Sequence, residues 1–175
     1  DIVSKVAPSV YRKYIPHAVD PSVFRRIESD EESFNNCKIV RERVFNCSYE
    51  DSKDKLLFFW NNRNARRKQS GTLIWWFKNY LDKVGHDKAS LLMHTDPKDP
   101  NGQDLSHLIE HLGLSNGQVM ISNQKISPND LAAMYNAADC TINISDAEGF
   151  GLATLESLSC ETPIIVCMTG GLQEQ

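Results

Sequence analysis

Apolar residues along the chain come in short runs that alternate with longer stretches of helical spacing. Leu56-Leu57-Phe58-Phe59-Trp60 is a continuous apolar run of strand length, and residues 67–84 follow it with the period of an amphipathic helix. Leu91-Leu92-Met93 predicts a second strand, followed by a helix over 104–112, and Val119-Met120-Ile121 predicts a third. Ser127-Pro128-Asn129-Asp130 then opens a helix with a capping residue, a proline in the first turn and an acid at the positive end. Residues 140–144 predict a strand, 151–159 a helix and 164–168 a last strand. Strands separated by helices need crossover connections, which are right-handed and place helices on both faces of a parallel sheet. The predicted fold class is α/β, a Rossmann-like doubly wound parallel sheet.

Residues 1–52 are less regular. Residues 10–15 read as a strand feeding a turn at 16–20, and the acid- and serine-rich stretch 28–33 as a solvated loop or helix end. Residues 37–45 read as an added strand or hairpin. The chain is thus one domain, 1–175, with an irregular lead-in over 1–52 and a βα core over 53–175.

Composition narrows the class. With 175 residues, 41% hydrophobic and 24% charged, the chain suits one ordinary globular domain. A net charge of −4 argues against general binding to nucleic acid or a membrane surface, while leaving room for a local basic site. The longest apolar runs (56–60, 73–77 and 163–168) are far too short to span a bilayer, and no signal peptide opens the chain. Asp1 in place of a methionine, and a stop at Gln175 inside what reads as a new element, make the ends look like cuts.

The five cysteines are scattered, with no C-x-x-C pair, so free thiols in a reducing, cytoplasmic setting are expected in place of a disulfide scaffold or zinc site. His107 and His111 stand four apart on a predicted helix, and a solvated face is preferred there to a metal pair. The sequons at Asn46 and Asn143 read as chance.

Ligands of parallel α/β sheets bind outside the carboxyl ends of the strands, and two segments with unusual chemistry fall there. Asn61-Asn62-Arg63-Asn64-Ala65-Arg66-Arg67-Lys68 directly follows the first strong strand, with four cations among its last six residues. Cations at the start of a helix are locally unfavourable, because that end already carries partial positive charge. An anion reverses the balance, so a phosphate or diphosphate clamped by Arg63 and Lys68 is weighed against a plain solvated basic turn.

The second segment runs Ser145-Asp146-Ala147-Glu148-Gly149-Phe150-Gly151-Leu152-Ala153-Thr154-Leu155-Glu156. Its glycines let backbone approach a ligand, and the helix start offers N–H donors. Glu156 lies two helical turns in, with its side chain leaning back towards Leu152, so both carboxylates can border one cleft and accept sugar hydroxyls. Taken singly, Glu148 reads as a helix-start acid and Glu156 as a surface acid. Thr169-Gly170-Gly171 follows the last strand, either as further N–H donors at the same edge or as an ordinary turn. Cations, helix starts and carboxylates together suit a ligand bearing both phosphates and hydroxyls, as a nucleotide sugar does.

From about residue 8 onward the chain resembles the C-terminal, donor-binding half of family 4 (group 1) retaining glycosyltransferases of the two-domain GT-B fold. The marks are Ile15-Pro16-His17-Ala18-Val19-Asp20 with Phe24, Asn62-Arg63 through Arg67-Lys68, Met134-Tyr135-Asn136-Ala137-Ala138-Asp139, Glu148 through Glu156, and Pro163-Ile164-Ile165 leading to Gly170-Gly171 and Glu174. The resemblance implies transfer of a hexose from a UDP- or GDP-sugar to an acceptor hydroxyl, with retention and with no metal or other cofactor. It implies that Arg63 and Lys68 bind the diphosphate and stabilise leaving-group charge, and that Glu148 contacts the transferred sugar. The backbone over Gly149, Phe150, Gly151 and Leu152 then meets phosphate or sugar, Glu156 holds the ribose, and Ile126 lies beside the base.

It further implies that a glycan, lipid or protein acceptor, and any peripheral membrane contact, belong mainly to an N-terminal domain absent here. On this reading the C-terminal half itself stops short, and the fragment binds donor without turning it over. The chain departs from the family at Ala18, Gln69 and Glu161-Thr162, where small residues or glycine are usual, and at Gln173, where proline is common. A nucleotide-sugar epimerase or hydrolase with the same cleft, and a non-catalytic nucleotide-sugar-binding module, are the alternatives.

Overall fold

The computed structural model describes residues 2–13 and 15–174. Five strands, β1 (Leu56–Asn61), β2 (Ala89–His94), β3 (Val119–Ser122), β4 (Cys140–Asn143) and β5 (Ile164–Val166), form one sheet in the order β3-β2-β1-β4-β5. Every pairing is parallel, with Phe58 of β1 opposite both Leu91 of β2 and Cys140 of β4. The helices are α1 (Ile2–Val6), α2 (Phe34–Phe45), α3 (Tyr49–Ser52), α4 (Ser70–Val84), α5 (Leu105–His111), α6 (Pro128–Ala137) and α7 (Leu152–Ser159). None is long and apolar enough to cross a membrane.

The doubly wound expectation holds, and the strand alternation explains it. Leu57, Phe59 and Leu92 point to one face, where they pack with Cys37 and Val44 of α2 and Ala132 and Tyr135 of α6. Trp60, Leu91, Met93 and Ile142 point to the other, against Leu73, Ile74, Phe77 and Leu81 of α4 and Leu105 and Ile109 of α5. Each fully buried Leu, Ile, Phe or Met side chain among these contributes roughly 1.5–3 kcal/mol of apolar burial. The predicted start of α6 also stands: Ser127 and Asp130 form a reciprocal capping box, with Pro128 at the first turn.

Four expectations are corrected. Residues 37–45 are helical, not a strand or hairpin, as part of α2. Cys37, Val40 and Val44 have helical spacing, but the stripe between them is filled by a charged residue, the buried Arg41. Residues 10–13 and 15 form no strand, and Tyr14 lies outside the described residues. The predicted turn at 16–20 falls later, at 21–23, where Asp20 accepts hydrogen bonds from the Ser22 N–H and hydroxyl. Finally, the helix predicted over 67–84 is two elements, a 3-10 turn at Arg66–Lys68 and then α4, separated by Gln69 at φ 56°.

That left-handed residue matters, because two departures from the family sit at such positions. Gln69 (φ 56°) and Glu161 (φ 59°) both adopt backbone that favours glycine. Gln69 offsets the strain with its side chain, which donates to Asp146 Oδ2 at 2.5 Å and accepts from the Thr72 hydroxyl at 2.8 Å.

Candidate functional site

In the order β3-β2-β1-β4-β5 the chain leaves β1 towards one face of the sheet and β4 towards the other. The crevice between these two carboxyl ends is the switch point of a doubly wound sheet. The basic segment after β1 and the Glu148 loop after β4 are therefore neighbours by topology. They are stitched together by backbone, with the Asp146 N–H donating to the Arg67 carbonyl at 2.8 Å. The Arg67 guanidinium donates to the Ala147 carbonyl at 2.5 Å.

Lys68 and Glu148 meet in this crevice. Both side chains are more than nine-tenths buried, and the Lys68 ammonium donates to Glu148 Oε1 and, at 2.8 Å, to Asn62 Oδ1. Asn143 Nδ2 donates to the same Glu148 oxygen at 3.0 Å, and the Ser145 hydroxyl lies 3.2 Å from it. Oε2 has the Arg67 guanidinium at 3.6 Å. One carboxylate oxygen is thus saturated by protein donors, while the other has the Arg67 guanidinium as its neighbour.

The electrostatics follow from this cage. Burial works to raise the Glu148 carboxyl, but the hydrogen bonds from Lys68 and Asn143 outweigh it and hold the group below its ordinary value. Burial draws the Lys68 ammonium down, opposed by the hydrogen bond and charge of Glu148. The pair persists as charges because their mutual attraction and the added hydrogen bonds offset the cost of burying both groups.

Arg63 does not join this pair. Its guanidinium is largely exposed and makes a two-pronged bond to Asp99, in the loop after β2, at 2.6 and 3.2 Å. Hydrogen bonding from Arg63, and then from the Asn101 N–H, lowers the Asp99 carboxyl to about 2. The loop is anchored alongside by the fully buried Asn64, which donates to the Gln103 carbonyl at 2.7 Å and accepts from the Ser70 hydroxyl at 2.7 Å. Arg63 faces a depression of about 350 Å³ shared with Asn62, His94, Thr95 and Lys125.

Glu156 stands on α7 and takes a hydrogen bond of 2.8 Å from the Tyr135 hydroxyl. Burial raises its carboxyl, against the opposing effect of that bond. Gly151, at φ 88°, begins α7 with no side-chain cap, and Leu152 is exposed beside it. A Cβ on Gly149 would meet open space, so the fold itself does not demand glycine there. The His17 ring lies 5.0 Å from that of Phe150, which brings the lead-in segment onto this loop.

Of the two readings of Gly170 and Gly171, N–H donors at the sheet edge or an ordinary turn, the contacts of this pair fit the turn. The Gly171 N–H is spent on the Glu148 carbonyl at 3.2 Å, and a Cβ on Gly170 would fall 1.9 Å from that carbonyl. This pair lets the last turn close against the Glu148 loop. Ile126 is half-buried between β3 and α6, where it borders a separate cavity of about 290 Å³ with Val40, Leu92 and Met134.

The structure therefore joins Lys68 to Glu148, and sets Arg63, Glu156 and Ile126 at separate points around the same edge. Asn62, Asn143, Ser145 and Tyr135 went unrecognised as site residues from sequence. Asn143 stood only as a chance sequon, and it is buried inside β4 with its amide engaged. Among the described residues no three His, Cys, Asp or Glu side chains are grouped to hold a metal ion, and the cysteines are free. The larger cavity of about 570 Å³, beside Lys55, Ser90 and Gln118, opens at the amino ends of the strands, away from this chemistry.

Comparison with known proteins identifies the family and the fold. The family described as glycosyl transferases group 1 matches residues 42–175. The alpha-monoglucosyldiacylglycerol synthase of Streptococcus pneumoniae is 28% identical over 165 residues, which cover 94% of this chain and only 34% of that protein. The C-terminal domain of the group 1 glycosyl transferase LpcC from Francisella tularensis superposes with a TM-score of 0.64 at 21% identity, covering 90% of this chain and 74% of that one. The Anabaena protein HepE, solved with UDP and glucose, superposes with a TM-score of 0.67 at 17% identity, covering 89% and 38%. The fold is that of the C-terminal half of a GT-B glycosyltransferase. Matched over three quarters of its length by the family, this chain belongs to the group 1 glycosyl transferases.

Proposed function

We propose that this chain is the donor-binding domain of a retaining, family 4 glycosyltransferase that moves a hexose from a UDP- or GDP-sugar to an acceptor hydroxyl. The observation that carries the reading is the buried Lys68–Glu148 pair at the switch point, with Glu156 about one turn into α7, the helix that follows the Glu148 loop, and not the two turns in that the sequence suggests. Such a crevice offers a cation for a diphosphate, a carboxylate oxygen for a sugar hydroxyl and a second carboxylate for a ribose.

Cleavage of a sugar–diphosphate bond leaves growing negative charge on the diphosphate. Lys68, with Arg63 once it turns from Asp99, is placed to offset that charge, the task a metal ion performs in other enzymes. The backbone from Gly149 to Leu152, which leads into α7 at the carboxyl edge of the sheet, takes phosphate or sugar. Glu148 takes the transferred sugar through Oε2, Glu156 the ribose, and Ile126 a place beside the base.

A uridine donor is supported by the UDP in the HepE structure, which shares the fold. The name of the pneumococcal relative puts a diacylglycerol lipid among the acceptors to try. Acceptor binding falls mainly to a second domain of the enzyme, in the cytoplasm, so this domain alone binds donor without turnover. Titration of the domain with UDP and GDP tests donor binding. Release of nucleotide by the full-length enzyme from a panel of UDP- and GDP-sugars identifies the donor, and the anomeric configuration of the product by NMR tests retention.

A further inference from the structure

Tyr135 is fully buried on α6, yet its hydroxyl reaches the functional edge. Its ring is set by edge-on contacts with Phe59, at 5.1 Å and 76°, and with Phe24, at 6.2 Å and 71°. These contacts need only a phenyl ring, so phenylalanine would satisfy the core. The hydroxyl costs free energy to bury unless it is hydrogen-bonded, and here it makes two bonds, to groups from two other elements. Asn61 Nδ2, at the end of β1, lies 2.9 Å away, and Glu156 Oε2, on α7, lies 2.8 Å away.

The direction of these bonds is fixed by chemistry. A carboxylate can only accept, so the single phenolic hydrogen points to Glu156. The phenol oxygen must then accept from the Asn61 amide, which presents its NH₂ group. Burial and the charge of Glu156 push the Tyr135 phenol well above its ordinary value, so it stays a donor throughout the neutral range. Among the described residues Oε1 of Glu156 has no partner. A terminal carboxylate torsion is broad when nothing holds it, and accepting two vicinal hydroxyls requires one defined plane.

We infer that Tyr135 is a positioning residue: its phenol, aimed by Asn61, holds the Glu156 carboxylate so that Oε1 faces the ribose hydroxyls of a bound nucleotide. The inference rests on the donor-binding reading above, and it deepens that reading by tying ribose recognition to a buried hydroxyl on a different helix. The same hydroxyl would otherwise be a core tyrosine that has merely found an acceptor.

The test is a comparison of ligands with and without the ribose hydroxyls. Titration calorimetry on wild type and Tyr135→Phe uses UDP, GDP and their 2′,3′-dideoxy analogues. The variant keeps the ring and its packing, so the fold is retained. We expect affinity for UDP or GDP to fall about tenfold, with affinity for the dideoxy analogue unchanged. In a Glu156→Ala background, Tyr135→Phe should then have no further effect. Equal weakening towards both kinds of ligand, or no weakening, overturns the inference and leaves Tyr135 a packing residue.

A ligand-free readout separates this failure from failure of the donor reading. In Tyr135→Phe the Glu156 carboxyl, followed by NMR with labelled glutamate, should titrate higher than in wild type, because a bond favouring its charged form is gone. An unchanged titration overturns the tether. If wild type binds neither UDP nor GDP, the donor reading fails and the ribose role falls with it, while the titration still decides whether the phenol holds the carboxylate.

Discussion

The Lys68 ammonium and the Glu148 carboxylate, 80 positions apart in the chain, meet in the crevice between β1 and β4. The sheet order brings them together. β1 and β4 are adjacent strands whose following loops turn to opposite faces, so the last residue of the basic turn and the acid of the glycine loop close on each other from either side. The contact occupies the lysine with an internal anion, one that a donor diphosphate would have to share or displace on the proposed reading.

Removing the lysine should therefore harm both fold and site. Lys68→Met leaves a nearly buried carboxylate without its strongest donor, and we expect a loss of about 2 kcal/mol in urea denaturation. Nucleoside-diphosphate affinity should fall by at least about tenfold, and more steeply at low salt than at high salt. A variant that binds UDP and GDP like wild type would remove Lys68 from the donor site.

The Glu148 cage gives a pH dependence of defined sign. Its carboxyl lies below its ordinary value in the folded chain and returns to about 4.3 on unfolding. The folded state binds that proton less readily, so the stabilisation is full above the unfolded value and is lost as pH falls through the folded one. Asp99, held at about 2, contributes in the same acid range, so the informative quantity is the difference between wild type and Glu148→Gln. That difference should shrink below about pH 4. A difference independent of pH would contradict the caged carboxylate.

Asp99 competes for Arg63. The guanidinium makes a two-pronged bond to this acid, so on the proposed reading Asp99 offsets part of the charge that Arg63 would offer a donor. Asp99→Asn should tighten nucleoside-diphosphate binding about threefold at low salt, the range expected for an exposed ion pair, and the gain should vanish in high salt. Arg63→Ala should weaken binding, and in that background Asp99→Asn should do nothing.

Arg41 supplies the structural control. It is buried at the amino side of the sheet, where it donates to the carbonyls of Ala137, Ser52 and Lys55 at 2.9, 2.7 and 2.6 Å. It also pairs with Asp139 at 3.0 Å, the acid that accepts the Leu57 N–H. Arg41→Ala should cost about 3 kcal/mol or more in chemical denaturation, because it orphans several buried acceptors. The folded fraction should bind nucleotide as wild type does.

The central strands β1 and β2 were legible because they are largely buried on both faces and so read as apolar runs. The start of α6 was legible from its cap, and the Glu148 loop from its glycines. α2 was not, because Arg41 occupies a core position that a hydropathy pattern counts as polar. The break between the basic 3-10 turn and α4 was hidden because Gln69 takes a backbone conformation that glycine would have announced. Within the site, the two acids and the cations could be named, but their pairing could not. Arg63 finds its partner 36 residues away in an irregular loop. The roles of Asn143 and Tyr135 depend on side-chain directions that only the folded chain defines.

The most direct test of the donor-site account is calorimetric titration of the domain with UDP and with GDP, in wild type and in Lys68→Ala and Glu156→Ala. The account predicts saturable binding of one diphosphate, weakened at least about tenfold by either substitution, with the Lys68 effect falling as salt rises. Absence of binding to both nucleotides, or binding that neither substitution disturbs, would contradict it.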